Sequence, residues 1–170
     1  MDSHVNLPII TGCNIVTALN LFNENEIEEC DKKSVGSMKA KNNGEHINLP
    51  TEVYDVVDWL RNDKLREIKA EPVLSYYQDL YKALQESYRV LHSSGVAIYV
   101  IGKESVFYRF KTRQILKKVM CDQIFSEIAR NIGFDVEKQI DIQLDKRNRN
   151  ARPRSLDSYF ETAFILRKNA

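Results

Sequence analysis

Five basic side chains stand within nine residues near the C-terminus: Lys146, Arg147, Arg149, Arg152 and Arg154. Guanidinium groups match phosphate oxygens in geometry, so a run of this kind can grip a nucleic-acid backbone. The same composition also describes a solvated loop. A second cluster is aromatic: Tyr76, Tyr77, Tyr81 and Tyr88. Their helical spacing reads as a packing surface rather than a platform for stacked bases. His4, His46 and His92 have no cysteine, histidine or carboxylate partners at ligand spacing, so no metal site is expected. Cys13, Cys30 and Cys121 are odd in number and widely separated. They suit free thiols in a reducing, cytoplasmic compartment, with Cys121 a small hydrophobe within a helix. The glycines at 12, 36, 44, 95, 102 and 133 form neither a G-x-G nor a Walker spacing. Nothing here holds a nucleotide by the usual Gly-rich loop.

Chemistry of that kind needs elements to position it, and the apolar pattern supplies them from Thr51 onward. Val53, Val56, Val57, Leu60 and Ile68 recur at helical spacing, with Thr51 as N-cap. Pro72 punctuates the chain. Ser75 and Gln78 have the form of a capping box, opening a helix whose stripe is Tyr77, Leu80, Tyr81, Leu84, Tyr88 and Leu91. Ser93, Ser94 and Gly95 end it, Gly95 being free to take a positive φ. Residues 96–101 are β-branched or aromatic except for Ala97 and lie between two glycines. They read as a strand buried on both faces, in the middle of a parallel sheet. A helix over 112–132 is expected from Ile115, Leu116, Val119, Ile124, Phe125, Ile128 and Ile132, stopped by Gly133 and followed by Phe134. Residues 134–144 alternate, with Phe134, Val136, Ile140, Ile142 and Leu144 on one face. A last strand covers 159–166. The two final strands have no helix between them and should pair antiparallel, after a right-handed parallel crossover from 96–101.

A chain of 170 residues with 43% hydrophobic and 29% charged residues is a single α/β domain's worth of sequence, not a disordered or low-complexity one. The longest apolar runs are too short to cross a bilayer, and the opening residues, with no basic n-region before their apolar part, read as a poor secretory signal. Residues 1–47 are expected to be poorly ordered, since 23–46 are polar and carry almost no large apolar side chains. The net charge of +1 divides unevenly. Residues 1–72 sum to −5 and residues 73–170 to +6, which suggests an anionic partner for the second part.

The stretch from Tyr76 to Ser105 resembles class I S-adenosylmethionine-dependent methyltransferases. There a helix ending in an "RVLkpgG" turn feeds the fifth strand, and here Arg89, Val90, Leu91, His92, Ser93, Ser94 and Gly95 form that turn. The "GF" at Gly133 and Phe134 and the closing strands extend the likeness. The ending from Phe160 to Lys168 is similar to the "E.il.l.K" ending of the amino-methylating DNA methyltransferases (N6-adenine or N4-cytosine). In that group a connector rich in Arg and Pro, here residues 146–154, commonly precedes the last strand. The resemblance covers about residues 48–168 and is best over 73–168. It implies a Rossmann-like α/β fold, the second half of the methyltransferase domain, in a mixed sheet. It implies S-adenosylmethionine as cofactor, DNA as partner and a place in restriction and modification. Lys146, Arg147, Arg149, Arg152 and Arg154 would then contact DNA.

The resemblance also marks what is missing. The Gly-rich cofactor loop is absent, and the catalytic Asp/Asn/Ser-Pro-Pro-aromatic motif survives only as Asn48, Leu49, Pro50 and Thr51, with Tyr54 further on. Asn48 and Pro50 are the positions that would correspond to the polar group and one proline, beside the flipped base. The chain is therefore expected to be inactive alone. It would be either part of an enzyme completed by a second polypeptide or a methyltransferase-like binding module. A methyltransferase fragment for RNA or small molecules is the remaining alternative.

Overall fold

The computed structural model describes residues 47–109, 111–144 and 159–169, together with Asn25, Glu26, Glu29, Cys30 and Val35. Asn25, Glu26, Glu29 and Cys30 are helical, although they fall in the stretch expected to be a loop. The rest of 1–46, and the basic connector, lie outside the described residues.

Helix α1 (Thr51–Arg61) buries Val53, Val56, Val57 and Leu60, the stripe its spacing demands. Pro50, not Thr51, holds the N-cap position, and its carbonyl accepts from the Val53 N–H at 3.0 Å. Ile68 falls outside the helix and is largely exposed. A short 3-10 turn (Glu67–Lys69) leads into α2 (Ala70–Val90). Pro72 does not interrupt α2. It is the third helical residue, where the N–H has no intrahelical acceptor and proline is tolerated. Ser75 and Gln78 are consequently interior and buried, facing the core instead of capping an end.

Strand β1 (Val96–Gly102) follows. The chain then forms a hairpin, β2 (Ser105–Tyr108) and β3 (Ile115–Val119), where the periodicity predicts the first part of a helix. Helix α3 (Cys121–Ile132) starts only after it. Ile115, Leu116 and Val119 fit either period over so short a run, and packing decides: Phe107 of β2 meets Trp59 of α1 with ring centroids 5.4 Å apart. Gly133 ends α3 in the left-handed region (φ 116°), as its position requires. Strands β4 (Phe134–Leu144) and β5 (Tyr159–Lys168) pair antiparallel as expected.

The three-stranded sheet has the order β1-β5-β4, and β5 is antiparallel to both neighbours. Strand β1 is thus not a central parallel strand among the described residues; it forms an edge. Nor is it buried on both faces. Ala97, Tyr99 and Ile101 pack toward the helices, while Val96, Ile98 and Val100 are exposed on the other side. A bulge between Val136 and Lys138 shifts the pairing of β4 by one residue. Val136 therefore shares the helix-covered face with its partner Leu166, but Ile140 and Ile142 turn to the open face, so the expected single apolar face of β4 is split.

The core lies between the helices and the covered face. Leu60, Leu84, Phe125, Ile128, Phe164 and Leu166 are fully buried there, each contributing about 1.5–3 kcal/mol of apolar transfer free energy. Phe125 stands between Tyr99 and Phe164. The result is an α/β body with two antiparallel sheets.

Candidate functional site

The segments that carry the methyltransferase resemblance meet at one place, the C-terminus of α2. The last turn of a helix leaves carbonyls without partners. Here the Lys168 ammonium fills that role, donating to the carbonyls of Tyr88 at 2.8 Å and Leu91 at 2.9 Å. It also lies 4.8 Å from the centre of the Tyr88 ring. The Lys168 N–H donates to the Gly95 carbonyl, and the Ser94 N–H donates to the Lys168 carbonyl. Arg167 adds a bond from Nη1 to the Ser94 carbonyl and pairs with Glu137 on β4. Tyr88 meets Phe134 edge-on at 5.0 Å, just beyond Gly133. The "RVL" turn, the "GF" stop and the C-terminal Lys are therefore one joint.

Gly95 has a different task from the one its position suggests. The left-handed residue of the turn is Ser94 (φ 62°), whereas Gly95 lies against the His92 carbonyl, where a Cβ would come within 2.8 Å. Close approach requires the glycine here.

The Asn48 segment offers no comparable organisation. Residues 47–50 form no strand; Asn48 is exposed, while Leu49 and Pro50 are buried against α1. Tyr54 donates to the Ile47 carbonyl at 2.8 Å, which ties the segment to the helix. A shallow cleft of about 310 Å³ lies nearby, lined by Glu52, Asp55, Lys117, Lys118, Gln123 and Glu127 among others. Asn48 and Pro50 do not line it. Lys146, Arg147, Arg149, Arg152 and Arg154 lie outside the described residues.

Cys121, at the start of α3, is half-buried. Burial is the main influence on its thiol and pushes it above the ordinary range, although a bond from the Tyr77 hydroxyl at 3.8 Å opposes this. Burial likewise raises the Tyr77 hydroxyl. Burial thus works against the thiolate form that a nucleophile needs. Among the described residues, no three His, Cys, Asp or Glu side chains converge as a metal-binding group.

The hairpin presents a cluster that the expected helix had obscured. Residues 105–119 contain Arg109, Lys111, Arg113, Lys117 and Lys118 and no acidic residue. That imbalance was visible as composition, but no periodic pattern marked it as a projecting turn. Lys118 pairs with Glu104, and Lys117 lies over the Trp59 ring. Arg109, Lys111 and Arg113 are exposed at the tip.

Among the described residues, Gly95 and Gly133 do not form a cradle that fits S-adenosylmethionine. The space a Cβ would take at Gly95 and Gly133 is already filled by His92 and Tyr88 of the same chain. Neither glycine opens a cradle for a ligand, and three carboxylates line the cleft at α1.

No protein-family model and no curated protein matches the sequence. The fold is similar to the crystal structure of a candidate DNA modification methylase from Thermus thermophilus in complex with S-adenosyl-L-methionine. The TM-score is 0.46 and the identity 18%, over 58% of this chain and 39% of that one. The chain thus spans well under half of that protein, and a likeness this distant carries no argument about activity or residues. Among the described residues, no helix is long and apolar enough to cross a membrane.

Proposed function

We propose that this chain forms the second half of a Rossmann-like class I methyltransferase domain of the DNA amino-methylating kind. In this reading, the half that binds S-adenosylmethionine comes from a polypeptide segment outside these 170 residues, and methyl transfer requires both. The observation that carries it is the joint at α2. Two stretches of sequence resemble the family independently, one ending at Gly95 and one ending at Lys168. Five hydrogen bonds hold them together: two from the Lys168 ammonium, one from its N–H, one to its carbonyl and one from Arg167 to the Ser94 carbonyl.

The outer edge of β1 supports an incomplete domain. The Lys168 N–H bonds to the Gly95 carbonyl, and the Lys103 N–H bonds to the Phe160 carbonyl. Since bonding alternates along an antiparallel ladder, Val96, Ile98, Val100 and Gly102 turn their N–H and C=O groups outward. Among the described residues nothing pairs with them. The strand carries no charge, proline or bulge of the kind that guards a natural edge. On the same reading, Lys146, Arg147, Arg149, Arg152 and Arg154 hold the DNA backbone. Asn48 and Pro50 are then remnants at a helix entry, since neither reaches the cleft.

The test is transfer of a labelled methyl group from S-adenosylmethionine to duplex DNA. It is run with this chain alone and co-expressed with the polypeptide encoded beside it, selected for a Gly-rich cofactor loop. Transfer by the pair and none by the single chain is expected. Calorimetry on the single chain should show no saturable cofactor binding tighter than about 1 mM, a binding free energy near −4 kcal/mol. Transfer by the single chain would refute the division between two halves. Failure of the pair, with DNA binding retained, would make the chain a binding module.

A further inference from the structure

We propose that the β2–β3 hairpin is a nucleic-acid contact in its own right, and that its tip engages the phosphate backbone of duplex DNA. The inference does not depend on methyl transfer. It rests on where the hairpin's charges sit and on what holds them there.

The base of the hairpin is fastened to the body. Phe107 packs on Trp59, Lys117 lies over the same indole ring, and Lys118 is paired with Glu104. Arg66 donates from Nη2 to the Tyr108 carbonyl at 3.1 Å while pairing with Asp63. The two cations at the base thus have partners. Those at the tip differ. Arg109, Lys111 and Arg113 are exposed, and among the described residues no carboxylate pairs with any of them. A packed base carrying a tip whose cations have no carboxylate partner among the described residues suits a polyanion.

The tip is also closed in an unusual way. The Arg109 N–H donates to the Gln114 carbonyl at 2.9 Å, and the Arg113 N–H donates to the Arg109 carbonyl at 2.9 Å. Closing the turn puts Arg113 in the left-handed region (φ 59°), which glycine occupies without the steric conflict of a Cβ. The guanidinium is 5.0 Å from the centre of the Tyr108 ring, and Arg113 is exposed. Arginine thus stands where glycine would be unstrained, so the turn and the charge can be separated by substitution.

The geometry favours DNA over RNA. A two-stranded ribbon fits the major groove of B-form DNA, roughly 12 Å wide, whereas the A-form major groove is too narrow for side chains to read. Tyr108 and Ile115, both exposed on the ribbon, add an apolar surface beside the charges.

The test is the salt dependence of binding by the full chain to a duplex DNA of mixed sequence, with duplex RNA and phosphatidylserine vesicles as parallel probes. Each phosphate contact contributes roughly 0.9 to the slope of log affinity against log salt. Arg109→Ala, Lys111→Ala and Arg113→Ala together should flatten the DNA slope by roughly 2.7. Arg113→Gly is the decisive single change. It relaxes the turn, so the urea midpoint should hold or rise, yet the slope should fall by roughly 0.9. An unchanged DNA slope in the triple variant overturns the proposal, as does a loss confined to RNA or to vesicles. Methyl transfer by the two-chain complex tests the separate reading above. Its absence leaves the hairpin result standing, because the slope is measured on this chain without cofactor.

Discussion

Lys168 shows how a motif residue can be structural at the scale of a single side chain. Its ammonium is half-buried and satisfies two carbonyls at the end of α2, where the helix dipole also favours a cation. Replacing it with Met keeps the stem but leaves both carbonyls unpartnered. Lys168→Met should lower folding stability by about 1.5–3 kcal/mol, the range for hydrogen bonds to a charged group. Urea denaturation would show this as a lower midpoint at constant slope. An unmoved midpoint would mean that water replaces the ammonium and that the joint does not hold the turn. The residue types at this joint were legible in the sequence as a resemblance; their mutual contact was not. A Lys near a C-terminus gives no sign that it reaches back to a helix that ends before β1 begins.

At the scale of elements, the sequence revealed type better than placement. Helices α1, α2 and α3 lie where apolar periodicity puts them, and β4 and β5 pair as the lack of an intervening helix requires. The boundaries moved where local rules compete. Pro72 sits in the first turn of α2 instead of before it, and the short run from Ile115 to Val119 satisfies two periods at once. The β4 bulge could not be read, because one extra residue reverses a face without altering composition. Strand β1 is the instructive case. Its composition is that of an inner strand, and the described fold leaves it outermost. Val100, Ala163 and Ile140 line up across the open face, with Ile98 beside Ile165 in the next row. An apolar row beside an unguarded edge should drive association. The isolated chain is expected to self-associate with rising concentration in sedimentation experiments, and Ile98→Lys with Val100→Lys should restore the monomer. Both side chains are more than half exposed, so the variants should change stability by no more than about 0.5 kcal/mol. Sedimentation unaffected by the two lysines would place the interface elsewhere.

At the scale of the whole molecule, charge and incompleteness bear on one another. The excess of positive charge in residues 73–170 has two concentrations, the hairpin at 105–119 and the connector at 146–154. The connector joins β4 to β5, so strand pairing anchors both of its ends to the sheet. The two basic stretches belong to different elements and can be tested apart. Replacing Arg147, Arg149 and Arg152 with Ala should flatten the salt slope of DNA binding by up to about 2.7. If both stretches lie along one duplex, combining the connector and hairpin changes should give the sum of their separate slope changes, since counterion release follows the number of phosphates neutralised. If they belong to different faces, a single duplex reaches only one of them at a time, and the combined change should fall short of that sum. Titration of a short duplex across a range of salt concentrations distinguishes the two arrangements. An unchanged slope in the connector variant would return residues 146–154 to a solvated loop and leave the hairpin as the cationic contact of this chain.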